Sequence, residues 1–446
     1  MNSLGALLLI GFAAAVLGLP RRGALTGFVA GILFLTQALY IDVGGFNLFA
    51  LRILEVAAFW RVMARRELSL QSLGLLDKTV LWFVLYTTVV YALRTRDGLT
   101  YRIGWAVDVT LCYLSFRGFI QSREDVKWLL KAMVVMLIPY AAIVAYDSVA
   151  RNNLFALIGG RVGGAELLRD GRMRACGSFR HPSLLGTLGA SFLPLYIGLA
   201  FDPSNRKVAG IGAAACLVIV WASNSGGPLS CALVAFVGWM LWPMRHHMRQ
   251  VRWGIALMVL AMGLAMKAPI WYLIARLSSV TGGDGFHRSH LMNQAYVYLE
   301  KWWLAGMPIE ETMDWFPYYI HSTGGADITN QFLSFGIAAG LGSMFLFILV
   351  LVRAFKTVGS AVNNAREVDD GKNPDGYLVW GTGVVLAVHV FNWFGINYFD
   401  QMYAVWYGQL AIVVACGSTV VANSSVPEQH SSGVPVRDIP YSCTTS

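Results

Sequence analysis

Residues 172–186 read Arg-Met-Arg-Ala-Cys-Gly-Ser-Phe-Arg-His-Pro-Ser-Leu-Leu-Gly, a basic stretch that runs directly into an apolar segment. Pro182 suits the first turn of a helix, because the N–H that it lacks would have no partner there. The amides of Ser183, Leu184 and Leu185 would then point outward at the positive end of the helix dipole. With the arginines, they predict a seat for phosphate. The alternative is a flank whose arginines extend into lipid headgroups.

The composition indicates an integral membrane protein. Hydrophobic residues make up 56% of the 446 residues and charged residues 13%, whereas soluble domains carry about 25% charged residues. The net charge of +9 is therefore not a sign of nucleic-acid binding. About thirteen segments have the length and apolarity of membrane spans. They are 3–19, 24–41, 47–63, 79–93, 103–120, 128–147, 183–200, 208–222, 227–243, 253–269, 331–352, 377–396 and 402–422.

These segments predict an all-α polytopic membrane protein with about 12–13 transmembrane helices. Residues 1–422 would form one transmembrane bundle. Residues 423–446 are rich in Ser, Thr, Val and Pro without periodicity, which predicts a disordered cytoplasmic tail.

The distribution of Lys and Arg predicts the orientation of the chain. Alternate connections, such as 61–78 and 117–131, are rich in both residues, and the positive-inside rule places them in the cytoplasm. Three connections on the opposite, periplasmic side nevertheless keep arginines: 94–102, 148–182 and 268–330. Arginine retained there predicts an anionic ligand or a network of ion pairs.

The large periplasmic loop at 268–330 should contain an amphipathic helix from about His287 to Leu304. Its apolar face would carry Leu291, Ala295, Tyr298 and Trp302. Such a helix lies at the membrane interface or packs onto the bundle. Arg288 falls in its first turn, where a cation is disfavoured unless an anion binds there too. This favours a ligand role over a structural ion pair with Asp284.

Three motifs occur in one order on the predicted periplasmic side. The first is Arg174-Ala-Cys-Gly-Ser-Phe, followed by His-Pro-Ser and Gly186. In the second, Arg288 opens a helix that ends near Gly306 and Pro308. The third runs from Asp327 to Leu333 and enters a glycine-rich span. Residues 170 to 360 thereby resemble the O-antigen ligase and O-antigen/exopolysaccharide polymerase superfamily of bacterial inner membranes.

The chain departs from that family's pattern at three positions. Ser225 is followed by Gly226 and Gly227 rather than by Arg and Gly, and Ser183 replaces the Asn after the proline. Thr329 stands directly before Asn330, where ligases often carry a catalytic His. These departures favour a polymerase-like or divergent member over a strict ligase.

The resemblance implies a GT-C-like fold in the bacterial inner membrane, with the active face in the periplasm. The donor would be a glycan on undecaprenyl pyrophosphate, and the acceptor a hydroxyl of a second glycan or of a lipid core. Arg174 and Arg288 would stabilise the charge that grows on the pyrophosphate leaving group. Further residues would bind substrate, namely Arg172, Arg180, His181 and Asn330.

The acceptor hydroxyl would also need a general base. His321 is the first candidate, because an unperturbed imidazole titrates near neutral pH, and Asp327 is the second. A surface histidine remains the alternative for His321, and a helix cap the alternative for His181. Neither Asp-x-Asp nor a His cluster occurs on the periplasmic side, so we expect neither metal nor cofactor.

Two other functions are open from the sequence. A transporter or flippase for an anionic lipid-linked saccharide would use the same arginines, but it should carry polar residues through several spans and paired helix breaks. This chain concentrates its polar residues in two connections on one face, which favours an enzyme. The third possibility is a structural partner of other polysaccharide-assembly proteins.

Overall fold

The computed structural model describes residues 2–43, 46–160, 167–169, 171–276, 285–316, 324–368 and 374–417. This part of the chain is mostly helical. Its helices are α1 (Ser3–Gly18), α2 (Arg21–Phe34), α3 (Ala50–Ala64), α4 (Leu75–Arg94), α5 (Leu99–Phe119), α6 (Arg123–Ala150), α7 (Pro182–Leu199), α8 (Arg206–Ser223), α9 (Gly226–Met240), α10 (Met248–Ala265), α11 (Gly285–Val297), α12 (Leu299–Trp302), α13 (Gln331–Val368), α14 (Pro374–Asn392) and α15 (Met402–Gly417). The predicted tail at 423–446 lies outside the described residues.

The apolar helices confirm the prediction of a helical membrane protein. Each of the predicted spans overlaps one of the helices above. Among the described residues, five helical segments are both long and apolar enough to cross a bilayer: α4, α6, α7, α8 and residues 331–364 of α13. A sixth span results if α9 and the segment Trp242–Ala265, bent by 70° relative to it, are taken together. The structure thus supports five or six spans, and the larger number stays a prediction.

Two small antiparallel strand pairs lie in the connections between the helices. In the first, β1 (Tyr40–Val43) pairs with β2 (Phe46–Phe49), so α2 ends at Phe34 where the sequence predicted a span to residue 41. Aromatic and branched side chains flank Gly44 and Gly45 there, a pattern typical of hairpins. In the second, β3 (Leu168–Arg169) pairs with β4 (Arg172–Met173) inside the arginine-rich connection.

The connections between helices gather at two ends of the bundle. The loop end comprises 35–43, 46–49, 95–98, 151–160, 167–169, 171–181, 224–225, 266–276, 285–316, 324–330 and 393–401. Hydrogen bonds join these connections, as from the Ala175 N–H to the Ala222 carbonyl at 3.0 Å and from the Gln331 N–H to the Trp393 carbonyl at 3.0 Å. The turn end comprises 19–20, 65–74, 120–122 and 200–205.

Helix α13 is broken near the loop end. Ala339 and Gly340 leave the helical conformation, and Gly340 has a φ of +76°. The segment 303–307 fills the break, because the Met307 N–H donates to the Ile337 carbonyl at 2.9 Å and the Leu341 N–H donates to the Trp303 carbonyl at 2.7 Å. A Cβ on Gly340 would overlap the Leu304 carbonyl, so the close approach requires glycine.

Candidate functional site

The basic segment 172–181 is packed inside the protein. The Ser178 hydroxyl donates to the Leu33 carbonyl at 2.7 Å and shares a hydrogen bond with the Tyr140 hydroxyl at 2.9 Å. The Gln401 amide donates to the Ser178 carbonyl at 3.1 Å, and Phe179 is fully buried. The Gly-Ser-Phe sequence therefore anchors the loop between α2, α6 and the connection before α15. The arginines around this anchor are less buried, since Arg172 and Arg174 are half-buried and Arg180 is exposed.

Helix α7 begins at Pro182, as predicted, but its amides do not form the expected phosphate seat. The imidazole Nδ1 of His181 accepts from the Ser183 N–H at 3.1 Å. The Leu184 and Leu185 N–H groups both donate to the His181 carbonyl, at 3.0 and 3.3 Å. His181 is thus the helix cap that the sequence left as an alternative, and it occupies all three donors. The expectation of free amides here was wrong.

Arg174 reaches the start of α9. Its Nη2 donates to the Ser225 hydroxyl at 3.3 Å. Ser225 occupies the position before α9, and its hydroxyl shares a hydrogen bond with that of Ser183 at 2.8 Å. The positive ends of α7 and α9 are therefore side by side, with the Arg174 guanidinium at their junction.

Two glycines open α9 at this point. The N–H groups of Gly226 and Gly227 have no hydrogen-bond acceptor among the residues that the structure describes. Such groups at a helix start carry partial positive charge and bind anions. The sequence showed these glycines as a departure from the family pattern, and it placed the start of a span at residue 227, but their N–H groups were not recognised as candidate donors to an anion.

Arg288 approaches the same helix from the large loop. It is the fourth residue of α11. Its guanidinium lies against Gly395, with Cζ 3.4 Å from where a Cβ would stand, and it interacts electrostatically with the Cys231 thiol. Cys231 follows Ser225 by six residues, or about 9 Å along an α-helix. Arg174 is thus hydrogen-bonded at the start of α9, whereas Arg288 lies against the connection that follows α14 and acts on α9 through its electrostatic interaction with Cys231.

The loop helix is held in place by its apolar face. Leu291, Ala295 and Trp302 are buried in a second hydrophobic cluster with Ile337 of α13, which confirms the predicted face and packs it onto the bundle. The predicted single helix to Leu304 is instead interrupted at Tyr298, between α11 and α12. The interruption lets the chain turn toward the break in α13.

Two histidines fix α11 on either side of Arg288. The His287 ring stacks on Phe316 with 4.4 Å between centroids, and the His290 Nε2 lies 3.2 Å from the Trp315 carbonyl oxygen. His287 Nε2 also lies 3.3 Å from the Asp327 carbonyl oxygen. Asp327, the second candidate base, is exposed and near the first turn of α11. His321, the first candidate, lies outside the described residues.

The predicted substrate-binding residues do not converge on one point. Arg172 stacks over Trp221 at 4.5 Å from the ring centroid, and its Nη2 donates to the Asn224 side chain at 3.2 Å, so it is close to the start of α9. The buried Asn330 accepts from the Leu333 N–H at 3.1 Å and thereby caps α13.

Arg180 faces a different part of the loop end. The backbone N–H of Arg180 donates to the Asp400 carboxylate at 2.7 Å, and its Nη2 donates to the Gln37 carbonyl at 3.3 Å. Burial raises the pKa of the Asp400 carboxyl to about 6, against the stabilising effect of the Arg180 N–H and guanidinium. Arg180 thus belongs to a loop contact rather than to the junction at α9.

A buried polar network supports the junction from below and was not predicted as a unit. The Asn392 amide donates to the Thr187 hydroxyl at 2.8 Å and to the Tyr398 hydroxyl at 3.2 Å. Tyr398 also contacts His389 Nδ1 at 2.6 Å, and its N–H donates to Gln331 at 2.6 Å. These bonds tie α7, α14 and the start of α13 together. The sequence signal was the polar pair His389 and Asn392 inside one apolar segment.

The chain matches no protein-family model and no curated protein sequence. Within the described ranges, no three His, Cys, Asp or Glu side chains are grouped so as to hold a metal ion, and metal independence stays a prediction. A function is therefore inferred from the geometry around α9.

Proposed function

We propose that this protein is a polysaccharide polymerase- or ligase-type glycosyltransferase of the bacterial inner membrane. It would transfer a glycan from undecaprenyl pyrophosphate to an acceptor hydroxyl. The observation that supports this most directly is the position of Arg174 at the start of α9, next to the N–H groups of Gly226 and Gly227, with Arg288 near enough to interact electrostatically with Cys231 of the same helix. Guanidinium groups and helix-start amides are the donors that a diphosphate requires.

Transfer of the glycan requires fixed positive charge beside the pyrophosphate leaving group. As the glycosidic bond breaks, negative charge accumulates on the pyrophosphate oxygens. Donors already positioned for that charge stabilise the transition state more than the ground state. Arg174 is oriented by Ser225 and Arg288 by its seat against Gly395. In the proposal, His321 or Asp327 takes the acceptor proton, and no metal takes part.

The proposed site belongs to the periplasmic face. The turn end and the helix ends that adjoin it carry the Lys- and Arg-rich stretches, such as 61–78 and 117–131, which the positive-inside rule assigns to the cytoplasm. The loop end then faces the periplasm, where a glycan on a polyprenyl carrier would meet its acceptor.

The transporter alternative gains no support from the buried polar groups. His389, Asn392 and Gln409 lie within the bundle, yet each is buried and hydrogen-bonded to protein atoms. A transport path would need such groups open to a cavity.

The test uses the full chain reconstituted in vesicles with a lipid-pyrophosphate-linked oligosaccharide, and it measures covalent lengthening or transfer of the glycan. Arg174→Ala and Arg288→Ala should each lower the rate by about 10²–10³-fold, the usual effect of losing one such donor. Arg151→Ala is the matched control, because Arg151 lies in the same connection and is exposed, with its side chain bonded to the Gly171 carbonyl.

Normal elongation by both variants would reject the assigned roles. Movement of the intact lipid-linked saccharide across the vesicle membrane, without a new glycosidic bond, would reject the transferase in favour of the transporter.

A further inference from the structure

A second pair of arginines lies at the loop end, on helices that the proposed active site does not use. Arg94 is the last residue of α4 and Arg102 lies in the first turn of α5. The guanidinium carbons of both lie 4.9 Å from the ring centroid of Tyr91. Arg102 is also 5.1 Å from the Trp105 centroid. Two cations thus lie against one aromatic ring, and we call the rings of Tyr91 and Trp105 the aromatic seat.

Neutral groups surround this pair. The Arg94 Nη1 donates to the Ile337 carbonyl at 3.1 Å, at the break in α13. The Nε atoms of Arg94 and Arg102 are buried without a hydrogen-bond partner. Among the described residues, no carboxylate lies within 4.0 Å of either guanidinium; Glu310 and Glu311 act on Arg94 from a longer distance.

Adjacent cations without a close carboxylate repel each other, and both are partly removed from water. Aromatic faces offset only part of that cost, about 0.5–2 kcal/mol for each cation. An anion that bridges the two guanidinium groups would remove the repulsion and supply the missing acceptors. Phosphate oxygens suit this arrangement, because a guanidinium group donates to them in parallel pairs.

The surface next to the pair is apolar and exposed. Leu85, Val89 and Leu93 project from α4 at every fourth residue, with 51%, 45% and 83% of their surface exposed. This ridge spans about 12 Å on the exposed side of α4, whereas Arg94 lies on the side that faces the Ile337 carbonyl. Leu93, at the end of the ridge, is the residue before Arg94, so exposed apolar surface begins one residue from the pair. A phosphate carried on a hydrocarbon chain would therefore meet apolar surface beside the arginines, whereas free phosphate would use only the arginines.

We propose that Arg94 and Arg102 bind the phosphate headgroup of an anionic glycerophospholipid whose acyl chain lies against the exposed apolar surface that begins at Leu93. The site is separate from Arg174 and Arg288 and does not depend on the transferase function. It explains why the connection between α4 and α5 keeps its arginines on the side where the positive-inside rule disfavours them.

The test is the thermal unfolding midpoint of the full chain in detergent, titrated with phosphatidylglycerol, phosphatidylcholine or inorganic phosphate. Phosphatidylglycerol should raise the midpoint by several degrees, as a ligand that binds only the folded state does. Arg102→Gln should lose most of that rise. Arg96→Gln is the matched control, because Arg96 is an exposed cation on the same connection outside the aromatic seat, and it should keep the rise.

Three results would overturn the proposal: an equal rise with phosphatidylcholine, an equal loss in Arg96→Gln, or the full rise with inorganic phosphate alone. If Arg102→Gln does not fold, Arg94→Gln leaves Arg102 in its seat and should lose about half of the rise. An unchanged rise in that variant would also overturn the proposal. The titration is repeated in Arg174→Ala protein, where retention of the rise separates this site from the proposed active site.

Discussion

The cations at the two ends of the bundle have different partners. At the turn end they pair with carboxylates: Arg21 and Arg22 with Asp125, Arg61 with Glu67, Arg117 with Asp77, and Arg123 and Lys127 with Asp375. At the loop end, Arg52 and Arg180 also pair with Asp108 and Asp400. Arg94, Arg102 and Arg172 contact aromatic rings, a carbonyl and an amide instead. Charge at the turn end is thus largely neutralised by carboxylates, whereas these three loop-end arginines have no carboxylate within 4.0 Å among the described residues. In our proposals, arginine serves stability at the turn end and ligand recognition at the loop end.

The largest expected effect is on stability at the turn end. Asp77 is almost fully buried and accepts from Arg117 at 2.7 Å, from the Tyr113 hydroxyl at 2.6 Å and from the Gly74 N–H at 2.8 Å. Asp77→Ala would leave a buried guanidinium without its carboxylate, and we expect the free energy of unfolding to fall by about 3–5 kcal/mol. Unfolding in mixed micelles measures this, with the exposed Asp97→Ala as control. An equal loss in both variants would refute the comparison.

A smaller effect is expected where backbone contacts, rather than ion pairs, hold the loop end. Gly340→Ala places a Cβ on the Leu304 carbonyl at a φ of +76°, so the segment 303–307 should detach from the break at a cost of about 1–3 kcal/mol. Hydrogen exchange in residues 285–316 should rise. Gly359→Ala lies on the same helix in open space and should leave the exchange unchanged. If hydrogen exchange in residues 285–316 were unchanged in Gly340→Ala, the contacts at the break would not hold the large loop in place.

The smallest effect concerns the neutral partner of Arg174. Ser225→Ala removes one hydrogen bond to the guanidinium, worth about 1 kcal/mol, so glycan transfer should fall about fivefold with little change in the unfolding midpoint. Ser225→Thr keeps the hydroxyl and should retain most of the rate. Ser230→Ala is the control, since its hydroxyl donates to the Gly226 carbonyl on the same helix. If the variant lost stability but kept its transfer rate, Ser225 would stabilise the fold, as the turn-end contacts do, and would have no role in transfer.

The helices and the approach of both arginines to α9 were predictable to different degrees. Apolar length is a local property, so every predicted span overlaps a helix. The strand pair β1–β2 was not predicted because its residues are as apolar as those of a span.

Arg174 and Arg288 were predicted individually from motifs. Their relation to Ser225 and Cys231 was not, because it is set by long-range packing of α7, α9 and α14. The amides at Ser183 were misassigned because a substrate-binding role for His181 was preferred to the helix cap, which occupies them.

The break in α13 makes the large loop part of the bundle's own backbone. Peptide groups at this depth need partners, and those of Ile337 and Leu341 find them in residues 303–307. Deleting the loop would therefore leave peptide groups at the break in α13 without hydrogen-bond partners. A chimaera with a loop from another protein would fold only if the segments around Gly306 and Gly340 were both taken from that protein.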